Sequence, residues 1–128
     1  MSKTPIRPSD GELAILRVLW HLGPSTVRDV HTELSKDRDM GYTTVLKLMQ
    51  IMAEKGLVDR DESARSHVYR AAQGERPTQV FLLKDLVQKA FGGSAKALMV
   101  RALEAERASE ADLDEIQRLL DEARRRRS

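Results

Sequence analysis

The chain has 128 residues, 22 Lys plus Arg against 20 Asp plus Glu, a net charge of +2 and no cysteine. This length permits one domain, or one small domain with a helical extension, and the missing thiols exclude a disulfide framework, a thiolate nucleophile and a cysteine-rich zinc site. The charge alone is a weak pointer to an acidic partner, because residues 1–75 hold 11 basic and 11 acidic side chains; any nucleic-acid contact must come from where the charges sit.

In chain order, the segment Ser9 to Glu12 spells a capping box, S-x-x-E, which predicts a first helix running to about Leu22 with Leu13, Leu16, Leu19 and Trp20 on one face. Gly23-Pro24 stops it. Thr26 is placed to cap a short second helix with Val27, Val30 and Leu34 inward and Arg28, Asp29 and Glu33 outward. The polar loop SKDRDMG leads to GYTTVLKLMQIMAEKGLV, residues 41–58. At 100° per residue Val45, Leu48, Met49 and Met52 gather on one face of this third helix. Thr43, Lys47, Gln50 and Glu54 point the other way, with Thr44 and Ile51 on the flank. Gly56 suits the left-handed cap. Leu57 to Arg60, the charged tip DESAR and His67 to Arg70 then predict a two-stranded hairpin.

Three short helices followed by a hairpin form the layout of a winged helix-turn-helix, in which the third helix enters a DNA major groove and the hairpin lies alongside. The fold class expected is therefore mainly α with a small β-hairpin. Residues 1–75 make the DNA-binding half. Threonine hydroxyls and a lysine suit phosphates and base edges, so Thr43, Thr44, Lys47 and Gln50 are the candidate contacts from the helix, with Arg65 and His67 from the wing. The plainer reading of the same residues is a solvated helix edge and an ordinary charged turn.

From residue 76 the pattern changes to three amphipathic segments. Thr78 is read as the cap of one, carrying Val80, Leu83, Leu86, Val87 and Phe91 and broken at Gly92-Gly93. Ser94 opens the next, with Leu98, Met99 and Leu103, and Ser109 with Asp112 opens the last, with Leu113, Ile116, Leu119 and Leu120. Three such helices are too few to close a core alone. Residues 76–128 are thus expected to be a helical dimerisation domain whose stripes meet those of a second copy. The RRRR run at the end reads as a solvated terminus that suits a helix dipole, or as a phosphate contact.

Nothing points to catalysis: there is no Ser-His-Asp candidate, no paired carboxylates in a cleft and no phosphate-cradling glycine loop. His21, His31 and His67 lack the short paired spacing of a metal site, so no metal and no cofactor are expected. With no apolar run of the roughly 18 to 20 residues that span a bilayer, and no apolar signal-peptide core in MSKTPIRPSD, a cytoplasmic protein without membrane insertion is expected.

The segments ELAILRVLW, STVRDVHTEL, GYTTVLKLMQIMAEKGLV and RDESARSHVYRA, in that order, resemble the BlaI/MecI/CopY penicillinase-repressor family of bacterial regulators. The resemblance spans the winged-helix half and, more loosely, the helical tail. It implies a homodimer that binds a palindromic operator and represses resistance or stress genes, with DNA contact at Thr43, Thr44 and Lys47 and a wing contact at Arg65. Two departures stand out. The metal-responsive branch uses cysteines near the C-terminus, which this chain lacks. The antibiotic-responsive branch is cut at an Asn-Phe bond through a membrane metalloprotease sensor pathway, and the bond in register here is about Arg101-Ala102. A winged-helix protein–protein adaptor without sequence-specific DNA binding is the alternative reading.

Overall fold

The computed structural model describes residues 7–128; the first six residues of the segment read for a signal-peptide core, MSKTPI, lie outside them. The elements run α1 (Asp10–Leu22), α2 (Val27–Leu34), α3 (Tyr42–Lys55), β1 (Val58–Asp61), β2 (Val68–Ala71), α4 (Glu75–Ala90), α5 (Ala95–Ala105) and α6 (Glu110–Arg127). The chain divides into two compact units, Met1–Leu82 and Leu83–Ser128.

Local chemistry sets the element ends of the first unit. Ser9 Oγ accepts from the Glu12 N–H at 3.3 Å while Glu12 Oε1 accepts from the Ser9 N–H at 2.9 Å. Thr26 and Asp29 repeat this exchange at the head of α2. At the end of α3, Gly56 turns left-handed at φ 84°, and the Leu57 N–H donates to the Met52 carbonyl at 2.9 Å. This is a Schellman terminus, and it keeps Leu57 with the helix. The strands therefore begin one residue later than the sequence predicts, at Val58 and Val68, and pair antiparallel with Val58 opposite Ala71 and Asp61 opposite Val68. The sequence gives no hint of a further pairing: Ser25 and Tyr69 exchange both backbone hydrogen bonds, at 2.9 and 2.8 Å. That bridge fixes the entry to α2 beside the hairpin.

The core of this unit joins all five of its first elements. Ile15, Leu16, Val18 and Leu19 of α1 meet Val27, Val30 and Leu34 of α2, Val45, Met49 and Met52 of α3, and Val58 and Tyr69 of the hairpin. Leu13, Leu48 and Trp20, expected inward, are half-buried. The buried face of α1 is turned toward Ile15 and Val18, leaving Trp20 at the rim, where its indole N–H donates to the Gln73 carbonyl at 3.0 Å. One charge lies within the core. Glu12 is 2% exposed and accepts from Lys55 Nζ at 2.9 Å, clamping α1 to α3. Burial pushes its carboxyl up, but the Ser9 N–H and Lys55 together outweigh this and hold it below the ordinary value.

Thr78 does not cap α4. The helix already begins at Glu75, and the Thr78 hydroxyl donates back to the Gly74 carbonyl at 2.9 Å. Pro77 is tolerated there because first-turn N–H groups have no partner inside the helix.

In the second unit Gly92 and Gly93 are left-handed, at φ 57° and 86°, and end α4. Ser94 and Ser109 accept from the N–H groups of Ala97 and Asp112, each at 3.0 Å, and start α5 and α6 where the sequence predicts. Among the described residues of this unit the buried hydrophobic side chain is Val87; Leu83, Leu86, Met99, Leu103, Leu113, Ile116, Leu119 and Leu120 are between 39% and 57% exposed.

Candidate nucleic-acid interface

α3 presents its first turn differently from the two helices before it. α1 and α2 each begin with a side-chain cap and a carboxylate three residues on, whereas α3 begins at Gly41 with no side-chain cap and no acid in its first turn. Its leading N–H groups and the positive end of its dipole are left for an outside acceptor. Tyr42, Thr43 and Thr44 stand exposed on that turn, with Lys47 and Gln50 on the next two. Glu54 lies on the same outward edge one turn past Gln50 and limits the phosphate-tolerant part of the helix to its first half.

Beside this edge runs a groove lined by Thr26, Val27 and Arg28 from the head of α2, Tyr42, Leu46 and Gln50 from α3, and Arg65, Ser66 and His67 from the wing, with Tyr69 beneath. The Ser25–Tyr69 bridge is what brings the α2 head and the wing to opposite banks. Of the sequence candidates, the groove gathers Gln50, Arg65 and His67. Thr43 and Lys47 lie next to it on the outward edge. Thr44 sits a further 100° round the helix from Thr43, away from the groove.

The wing's acids are engaged within the hairpin. Asp61 Oδ1 accepts from the Ser63 N–H at 2.9 Å, and the Ser63 hydroxyl and N–H lower the Asp61 carboxyl below its ordinary value. Glu62 pairs with Arg60 at 3.1 Å and lies 4.0 Å from His67 Nε2. The Tyr69 hydroxyl and then Glu62 raise the Arg60 guanidinium further above its usual range, so it is fully charged. Arg65 extends past these pairs into solvent. Among the described residues, neither it, Lys47 nor Arg28 takes part in an ion pair, so an incoming phosphate displaces no carboxylate.

Sequence reasoning missed two residues here, Arg28 and Tyr42. Arg28 reads as merely outward on the second helix, and only the tertiary bridge reveals that it faces the wing. Tyr42 is 45% exposed and makes an edge-on contact with His31 at 5.7 Å between ring centroids. The available signal was an aromatic at the first position of a helix, one turn before Leu46 and two before Gln50 on a single edge.

The second unit bears all but Val80 of the residues expected at a dimer interface. Val80 of α4 and Leu83, Leu86, Met99, Leu103, Leu113, Ile116, Leu119 and Leu120 are exposed, Phe91 and Leu98 are half-buried, and Val87 is covered within the chain itself. Arg101 and Ala102 lie inside α5, exposed, with Arg101 paired to Glu104 at 2.7 Å. No helix among the described residues is long and apolar enough to cross a membrane.

A model of the penicillinase repressor family matches residues 8–122. The chain belongs to that family. It is 39% identical over 108 residues to the transcriptional regulator BlaI of Mycobacterium tuberculosis, covering 83% of this chain and 78% of that one. It is 23% identical over 127 residues to the penicillinase repressor of Bacillus licheniformis, covering 99% and 98%. Among solved structures it is similar to the monomeric form of Bacillus licheniformis BlaI in complex with the blaP half-operator, at 28% identity and a TM-score of 0.49 over 59% of this chain and 90% of that one. Penicillinase repressors are transcriptional regulators, not enzymes.

Proposed function

We propose that this penicillinase-family repressor acts as a homodimer, each protomer laying the first half of α3 in a major groove of a palindromic operator while the wing holds the adjoining backbone. The observation that carries the reading is the uncapped, acid-free head of α3 beside a groove whose banks bear Arg28, Arg65 and His67. Lys47 and Arg65 take phosphates, Thr43 and Thr44 take phosphate or the thymine methyl, and Gln50 is placed to read an adenine edge. The exposed apolar side chains of the second unit supply the reason for two copies, since such surface is covered in a symmetric pair. Two heads held together contact half-sites about one helical turn or a small multiple apart, and the bound dimer excludes polymerase from the promoter. Any inducing cleavage through a membrane metalloprotease sensor would fall near Arg101-Ala102 in α5.

The even charge balance of residues 1–75 favours a second reading, a protein-binding adaptor built on the same winged helix. Selection of bound duplexes from a random pool separates the two. The repressor enriches an inverted repeat; an adaptor enriches none.

A further inference from the structure

α6 divides its charge along its length. Glu110, Asp112 and Asp114 stand near its start, and Arg124, Arg125, Arg126 and Arg127 form its last turn. One face between these ends carries Leu113, Ile116, Leu119, Leu120 and Ala123, at helical spacing, and its four larger side chains are between 39% and 49% exposed. Glu115 and Glu122 are satisfied on the helix itself, both by Arg118 on the opposite side. Within the helix, among the described residues, the arginines of the last turn have no carboxylate partner.

A second copy of α6, run antiparallel, answers both features with one register. The apolar stripe is centred near residue 118, and a two-fold axis there sets Leu113 opposite the partner's Ala123 and Ile116 opposite the partner's Leu120. In a two-fold antiparallel pair each flank meets the same flank of its mate. At 100° per residue Glu110 and Arg124 share one flank of the stripe, and Asp112 and Arg126 share the other. The register that mates the apolar residues therefore brings Glu110 to the partner's Arg124 and Asp112 to the partner's Arg126, each pair two residues, or about 3 Å, off level and within reach of an arginine side chain. A parallel pair would instead stack acid on acid at one end and four arginines on four at the other. Antiparallel packing also sets each α6 head beside its partner's negative helix end.

We infer that α6 pairs antiparallel with α6 of a second copy, through Leu113, Ile116, Leu120 and Ala123, and that the arginine tail is the charge lock of that pair rather than a DNA contact. This rests on the homodimer proposed above and specifies how the copies meet.

The chain's lack of cysteine makes the test direct, using the full-length protein. Leu113→Cys and Ala123→Cys chains, purified separately, are mixed and oxidised. Antiparallel pairing gives a mixed-disulfide dimer, while Leu113→Cys alone does not cross-link, its two thiols lying roughly 15 Å apart along the axis. Self-cross-linking of Leu113→Cys, or no mixed dimer from a chain that sediments as a dimer, overturns the pairing and leaves the homodimer standing. A wild-type chain that sediments as a monomer overturns both. Charge reversal gives an independent readout. Glu110→Arg with Asp112→Arg, or Arg124→Glu with Arg126→Glu, should weaken dimerisation roughly tenfold or more, and all four together should restore it. If the reversals leave dimerisation unchanged while Arg124→Glu with Arg126→Glu abolishes DNA binding, the tail is a phosphate contact and the lock is wrong.

Discussion

The two units of the chain are built on opposite balances of surface and core. The first closes twelve buried hydrophobic side chains, from three helices and a hairpin, around Tyr69 and a clamped Glu12. The second, among its described residues, buries Val87 and leaves eight large apolar side chains of the predicted stripes open. Each helix of both is locally well specified, by caps and by glycines, so the difference lies in packing rather than in helix formation. A unit with its own core folds to present a site; a unit without one leaves apolar faces open, and these are the faces the proposed homodimer would cover.

The largest expected effect tests the closed core. Met49→Ala removes a fully buried side chain and should cost about 2–5 kcal/mol, read as a lower urea midpoint with DNA binding lost only through unfolding. Next, Gln50→Ala should leave the fold intact and cost about 1–3 kcal/mol of discrimination at one operator base pair, seen in competition with single-base variants. Glu12→Gln keeps the acceptor for the Ser9 N–H but loses the ion pair to a partly exposed Lys55, so about 1–2 kcal/mol is expected at neutral pH. Its pH dependence has a fixed sign. The folded carboxyl lies below the ordinary value of 4.5, so its stabilisation is complete above that value and fades as pH falls through the depressed one. Wild-type and variant midpoints should thus converge in acid. The smallest effect belongs to the open unit: Leu119→Ser should move the unfolding of the first unit by less than about 0.5 kcal/mol while weakening dimerisation in sedimentation.

The fold was legible where local chemistry decides it. S-x-x-E, Thr26, Gly56, Gly92-Gly93, Ser94 and Ser109 each mark an end found in the structure, since capping is settled within four residues. The features that escaped are tertiary. Nothing near Glu12 announces Lys55, 43 positions on, and nothing near Ser25 announces Tyr69, though that bridge builds the groove. Thr78 misled because a threonine before an apolar run resembles a cap even when the helix has already begun at Glu75 and the hydroxyl bonds back to the Gly74 carbonyl. Of the candidate site, the outward edge of α3 was readable from the wheel, whereas Arg28 and Tyr42 needed the fold that sets them against the wing.

The central claim is that the head of α3 and the wing together hold DNA. It is tested most directly by titrating the selected duplex with wild-type chain and with Lys47→Ala/Arg65→Ala across a range of salt concentrations. Loss of two phosphate contacts per protomer, four per dimer, should lower affinity at every salt and flatten the slope of log K against log salt by about four. An unchanged slope and affinity, in a variant that melts like wild type, would contradict it.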